Sequence, residues 1–244
     1  QYTLAQPADG HTLLYTVNNT FSLNPFVYSR LPYRTEDFVP VVKVLAVPYA
    51  LVVGANHPAR TLGDLLGAAR ARPDDLTYGS YGVGQGTHVA MARLLNEAGG
   101  LRMTHVPYQT TALNDAIAGR VDVVVEPTTT AIPMIRDGRI RALAVTGPRR
   151  VEALPEVPAV AELIPGFVGD SWHGLFLRAG SPPEAAVAIN AHLNRIIADP
   201  EFRTRLHDLG LVPEGGTPAD FARFLAEDAA AWQRVARDNN IRVE

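Results

Sequence analysis

Strand-like apolar runs alternate with well-capped helices along most of the chain, and this alternation constrains the fold more than any other feature. Residues 12–17 (TLLYTV) and the long run 41–54 (VVKVLAVPYALVVG) are rich in β-branched and apolar residues, as buried strands are. Residues 76–80, 103–108, 121–126, 140–146 and 173–177 follow the same pattern, and Leu211-Val212 is a further short candidate. Helix starts can be read between them. Thr61 with Asp64, Thr87 before VAMARLL, and Ser181 before Pro-Pro-Glu184 each put a capping oxygen ahead of an apolar periodicity. Asp199-Pro200 and Thr217-Pro218 add proline at the first helical position. Pro73, Gly99-Gly100, Gly119, Gly138 and Gly210 mark the stops. Strands spaced by helices predict βαβ units and mostly parallel sheets, so the fold class is α/β.

The elements are unevenly spread. Residues 61–146 hold four strands alternating with helices, whereas 181–238 are almost entirely helical. A helical tail of that size needs a sheet to cover, and residues 12–17 and 41–53 are the strands left for it. The expected division is a discontinuous first lobe, 1–54 with 172–244, and a second lobe, 55–171. The chain would cross between lobes near 54–58 and 170–174. Two lobes joined by a hinge usually hold a small ligand in the cleft between them.

Composition narrows the function. With 47% hydrophobic residues the chain can bury a core and is not disordered. A net charge of −3 argues against a nucleic-acid partner. The absence of cysteine removes disulfides, thiolate metal sites and cysteine nucleophiles together. No apolar run approaches the roughly 18–20 residues of a membrane span, so the chain is not expected to cross a bilayer.

The most informative local motif is Tyr78-Gly-Ser-Tyr-Gly-Val-Gly-Gln-Gly-Thr-His88, which leaves a strand, carries four glycines and enters a helix. Glycines let a backbone approach a ligand closely, and first-turn N–H groups favour an anion. A carboxylate or phosphate would be held there by backbone amides with the hydroxyls of Ser80 and Thr87. The alternative is a flexible βα connection that holds no ligand. A dinucleotide fingerprint fits poorly: Gly82-Val-Gly84 lacks the final glycine spacing, and no acidic residue closes the following strand. A nucleophile elbow would need glycine where Tyr78 stands. His88, His105 and His173 could serve Ser80 as a base only through tertiary geometry, and a structural histidine is the commoner reading of each. No histidine or carboxylate spacing suggests a metal site, and no cofactor is expected. Arg139, Arg141, Arg149 and Arg150 read as solvated faces. Asn18, Asn19 and Thr20 follow a strand, where ligands sit in open α/β sheets, or else form an ordinary Asx turn or cap. Glu126 ends another strand, where its carboxylate could receive an ammonium, an amide N–H or water, or stand simply as a solvated charge.

Longer motifs resemble one family. Pro7-Ala-Asp-Gly-His-Thr-Leu-Leu14 resembles the P-D-G-Y-T-L-L segment of Bug-type (TctC-like) solute receptors of tripartite tricarboxylate transporters. Leu23-Asn-Pro25, Leu31-Pro-Tyr33, Asp37-Phe38, Thr87-His88, His105-Val-Pro-Tyr108, Asp115 and Gly119-Arg-Val-Asp122 follow in the family's order. So do Arg141-Ala-Leu-Ala-Val-Thr146, Leu154-Pro-Glu-Val-Pro158, Pro165-Gly-Phe167, Ser171-Trp172 and Gly174-Leu-Phe176, so that the resemblance covers essentially the whole chain. It implies a periplasmic binding protein, not an enzyme, whose two α/β lobes close on a small carboxylate. Its implied partners are integral-membrane transporter subunits. Ligand contacts would then come from Asn18, Asn19 and Thr20 of one lobe. The other lobe would supply Ser80, Gly86, Thr87, His88, Tyr108 and Gln109, with Glu126 facing the ligand's variable end. The resemblance also implies a βα segment ahead of Pro7, so the first lobe is expected to lack that segment.

The chain departs from the family pattern where ligand choice is made. The family's N-G-T-S-S-H is Val83-Gly-Gln-Gly-Thr-His88 here, and its K-G-S-x-P segment is the shorter Gln109-Thr-Thr111, without the lysine. Two other functions remain open at this point: a small-molecule hydrolase using Ser80 and a histidine, and a ligand sensor for a membrane signalling partner.

Overall fold

Nine strands form among residues 1–243, the residues that the computed structural model describes. They are β1 (Leu13–Val17), β2 (Phe38–Val47), β3 (Tyr49–Gly54), β4 (Thr77–Ser80), β5 (Thr104–Pro107), β6 (Val123–Pro127), β7 (Ile140–Val145), β8 (Ser171–Arg178) and β9 (Val212–Pro213). They make two sheets, ordered β1-β8-β2-β9 and β5-β4-β6-β3-β7. The chain correspondingly divides into two compact units. One comprises Gln1–Ala46, Ser171–Leu206 and the chain from Val212 onward; the other comprises Val47–Asp170 and His207–Leu211.

The long run 41–54, expected as a single strand of the first lobe, is two strands that belong to different sheets. Pro48 separates them, and a proline has no N–H to give to a ladder. The boundary therefore falls after Ala46, not after residue 54, and β3 joins the second unit. There it is buried along its whole length, antiparallel to both β6 and β7. The expectation of mostly parallel sheets is corrected by the same observation. β4 with β5 and β4 with β6 pair in parallel, while β1 with β8 and β2 with β9 are antiparallel. β3 enters the second sheet from β2 of the first and is joined to neither β6 nor β7 by a single βαβ crossover, the connection that would force a parallel pair.

In the first unit, helix Pro218–Asp238 supplies Phe221 to an aromatic core with Phe21, Phe38, Trp172 and Phe176. Trp172 meets Phe221 edge-on at 5.3 Å, and its indole N–H donates to Asp228 Oδ2 at 2.7 Å. Gly174 makes that packing possible, because a Cβ there would lie 2.4 Å from Phe221 Cζ. The helix begins as expected: Thr217 accepts from the Asp220 N–H while the Asp220 carboxylate accepts from the Thr217 N–H. Thr61 and Asp64 close the same reciprocal cap on helix Leu62–Ala71. Two expected caps are different. Helix Pro183–Ala198 starts after Pro182 without a side-chain bond from Ser181, and helix Gly86–Glu97 starts one residue ahead of Thr87.

In the second unit, Ala50 and Val52 of β3 and Val124 of β6 pack with Leu113, Ala116, Ala131 and Ile140. Helix Gly86–Glu97 buries Val89, Met91, Leu94 and Leu95. Burying each such side chain contributes about 1.5–3 kcal/mol. The two turns that feed these helices, after β4 and after β5, are thereby held on a rigid base.

Candidate ligand-binding site

In the second unit, β4 and β5 lie side by side with Tyr78 paired to His105 and Ser80 to Pro107. This register sets Ser80 Oγ 2.7 Å from His105 Nε2. The chain then turns through Gly82 at φ 123° and Gly84 at φ 73°, left-handed conformations that only glycine adopts without strain. Several loop amides are used internally. The N–H of Tyr81 donates to Thr87 Oγ1 at 3.0 Å, that of Gly82 to Ser80 Oγ at 3.2 Å, and that of Gly84 to His88 Nδ1 at 3.1 Å. Thr87 therefore does not cap the helix; its hydroxyl holds the loop. Helix Gly86–Glu97 has no side-chain N-cap bond, and first-turn N–H groups have no acceptor within their own helix. Those of Gly86, Thr87 and His88 form a cluster of donors at the positive end of the helix dipole.

The histidines beside this turn are neutral at physiological pH. Burial lowers His105 to about 4, and burial together with the nearby His105 lowers His88 to about 3. Because His88 Nδ1 accepts from a backbone N–H, its proton sits on Nε2.

Glu126, near the end of β6, is fully buried and is not the solvated strand-end charge that one reading allowed. Three hydroxyls donate to it. Tyr81 reaches Oε1 at 2.5 Å, Thr130 reaches Oε1 at 2.5 Å, and Thr111 reaches Oε2 at 2.8 Å. Burial, and then the adjacent Glu126 carboxylate, push the Tyr81 phenol up from its usual value. The Tyr108 hydroxyl donates to Asp115 Oδ2 at 2.7 Å, and Gln109 is exposed. The backbone N–H of Tyr108 donates to the Ser80 carbonyl at 2.9 Å, which joins the turn after β5 to the one after β4.

The first unit holds the remaining expected residues. Asn18 is fully buried, accepts from Ser171 Oγ at 2.7 Å, and leaves its Nδ2 without a partner. Of the two ordinary readings, the cap is the nearer: Asn18 stands at the N-cap position of a π-helix, Asn19–Leu23, though without a side-chain cap bond, and π-helical geometry is frequent at functional positions. Thr20 Oγ1 lies 2.6 Å from Thr16 Oγ1, and the Thr20 carbonyl accepts from the Tyr33 hydroxyl at 2.7 Å.

The structure thus brings Ser80, Gly86, Thr87, His88, Tyr108 and Glu126 into one hydrogen-bonded region of the second unit, and places Asn18, Asn19 and Thr20 in the first. Tyr81, Thr111 and Thr130 were not expected. Tyr81 stood in plain view inside the glycine-rich motif, but nothing local marked its hydroxyl. Among the described residues no cluster of His, Asp or Glu could hold a metal ion, and no helix is long and apolar enough to cross a membrane.

Two α/β units, each with its own sheet, define a class of periplasmic-binding-protein-like folds, and solved structures of that class superpose on this chain. One, R. palustris Rpa4515 with adipate, has a TM-score of 0.87 and 31% identity, covering 99% of this chain and 82% of that one. Another, MatC (Rpa3494) from Rhodopseudomonas palustris with bound malate, has a TM-score of 0.79 and 27% identity, covering 96% of this chain and 82% of that one. A "UPF0065 protein in tcbD-tcbE intergenic region" from a Pseudomonas species is 38% identical over 94% of this chain and 69% of its own length. Residues 1–241 match the family described as the tripartite tricarboxylate transporter family receptor, TctC. The chain belongs to that family, as its sequence motifs implied.

Proposed function

We propose that this protein is a receptor that captures a small organic acid, without transforming it, and delivers it to the integral-membrane subunits of a tripartite tricarboxylate-type transporter from the periplasm. The observation that carries this reading is the glycine-rich turn after β4. It opens onto a helix start with no side-chain cap, where backbone N–H groups suit a carboxylate. The adipate and malate bound by related structures support the ligand class. In this reading Ser80, Gly86, Thr87 and His88 surround one carboxylate. Tyr108, Gln109 and Glu126 shape the same face; Asn18, Asn19 and Thr20 are ligand contacts in this reading as well. The neutral histidines add hydrogen bonding without a full counter-charge.

Isothermal titration against mono-, di- and tricarboxylates, amino acids and aromatic acids tests the proposal. A saturable heat with at least one organic acid is expected; no heat and no melting shift across the panel would sink it. Co-purification from membranes separates transport from signalling: transporter subunits should be retained, whereas a sensor kinase would point to the signalling function. One observation favours a second reading. The 2.7 Å contact of Ser80 with His105 is the geometry of a nucleophile and its base. Against it, Ser80 is only 1% exposed, and its oxygen already accepts from the Gly82 N–H.

A further inference from the structure

A carboxylate has about four lone-pair directions. Glu126 uses three of them on hydroxyls from three separate segments: Tyr81 in the turn after β4, Thr111 in the turn after β5, and Thr130 in helix Thr128–Arg136. Each of the three residues makes a further contact. The Tyr81 backbone N–H is bonded to Thr87, so the ring and the glycine-rich turn move together. Thr111 Oγ1 accepts from the Leu113 N–H at the start of helix Leu113–Ile117. Thr130 shares its proton with the Pro127 carbonyl at 3.0 Å. All three hydroxyls donate to it and so point inward. An ammonium approaching Glu126 would have one acceptor direction left, where it ordinarily satisfies three donors.

We infer that Glu126 is a positioning residue: its carboxylate clamps the Tyr81 turn and the Thr111 turn into the binding geometry, and it acts on the ligand through them instead of as a counter-ion. The inference rests on the receptor reading for its effect on affinity. The clamp itself is a property of the protein without ligand.

The two roles differ in what a replacement must preserve. A counter-ion needs charge; a clamp needs reach and acceptors. Glu126→Gln keeps the length, keeps Oε1 for Tyr81 and Thr130, and can turn its amide N–H toward Thr111 Oγ1, which has a lone pair to receive it. Glu126→Asp keeps the charge but is one methylene short. Adipate and 6-aminohexanoate serve as probes, since they match in length and differ in one charged end. For the clamp, both probes weaken about threefold in Glu126→Gln and tenfold or more in Glu126→Asp and Glu126→Ala, the loss expected for a broken hydrogen bond to a charged group. Amide hydrogen exchange of the ligand-free protein should rise in residues 80–88 and 109–113 in the order Gln, Asp, Ala. Tighter binding by Glu126→Asp than by Glu126→Gln, or a loss in Glu126→Gln confined to 6-aminohexanoate, would overturn the inference in favour of an ion pair. If the wild-type protein binds neither probe, its ligand is not of this length, the panel of acids decides the ligand class, and exchange still decides the clamp. Unchanged protection of both turns in a folded Glu126→Asp would refute the clamp.

Discussion

The imidazoles of His88 and His105 lie face to face, with ring centroids 3.9 Å apart and planes within 2°. Tyr78 stacks on His105 at 4.8 Å, Ser80 Oγ meets His105 Nε2, and the Gly84 N–H meets His88 Nδ1. Such a stack tolerates two neutral rings and resists two cations. It ties the acid stability of the protein to the turn proposed to bind ligand.

Folding lowers both histidines below their ordinary value of 6.5, to about 4 for His105 and about 3 for His88. Below pH 6.5 the unfolded chain therefore holds more protons than the folded one, and stability falls with pH. The contribution is complete above pH 6.5 and is lost progressively as pH falls, down to about pH 4 for His105 and about pH 3 for His88. Burial lowers His173 in the same direction. Thermal midpoints measured from pH 7.5 to 4.5 should decline, and His105→Gln should shrink the decline without abolishing it. A midpoint independent of pH over this range would contradict the assignment.

Thr217 closes the reciprocal cap of the helix that carries Phe221 into the first unit's core. Replacing it with alanine leaves the Asp220 N–H without that acceptor. Thr217→Ala should lower unfolding free energy by about 1 kcal/mol. Urea denaturation should show this as a lower midpoint with an unchanged slope. A larger change would mean that the cap also orders the preceding turn.

The same cap illustrates what the sequence makes legible. Thr61 with Asp64 is a pair three residues apart that spacing announces, and Thr217 with Pro218 announces the helix start that Asp220 then completes. The α/β class follows from equally local periodicity. Pro48 sat inside a run that is apolar on both sides, and no local pattern says that β2 and β3 join different sheets. Thr87 had the right chemistry for a cap, yet its hydroxyl serves the Tyr81 N–H because the helix starts at Gly86. Glu126 shows the limit most plainly. Thr130 lies four residues away, but Thr111 is 15 away and Tyr81 is 45 away. Their convergence is a product of strand order, which periodicity does not encode.

Two glycines should respond oppositely to alanine. A Cβ on Gly54, at the end of β3, would lie 2.4 Å from the carbonyl oxygen of Ala116, a backbone atom that cannot rotate away. Gly54→Ala should destabilise the protein by about 1–3 kcal/mol through overpacking. Gly67 lies inside helix Leu62–Ala71 with nothing within 4 Å of its added Cβ. Gly67→Ala should stabilise by about 0.4–1 kcal/mol, because alanine loses less backbone entropy on folding. Chemical denaturation of the pair checks both signs against one reference. Equal effects would show that the approach of β3 to Ala116 is softer than the geometry implies.

Ser80 distinguishes binding from catalysis. Its hydroxyl bridges His105 Nε2 and the Gly82 N–H, and both contacts orient the turn that leads to the uncapped helix start. Ser80→Ala removes that bridge while preserving the fold of β4, whose ladder bonds come from the backbone. Under the receptor reading, affinity for an organic-acid probe should fall about tenfold, the loss expected when a buried hydrogen-bond pair is left unmade. Hydrolysis of p-nitrophenyl esters by the wild-type protein should match that by Ser80→Ala, since neither has a nucleophile open to substrate. Ester turnover that persists through purification and disappears in Ser80→Ala would instead make Ser80 and His105 a catalytic pair. Measuring both quantities on the same preparations leaves the two functions no shared outcome.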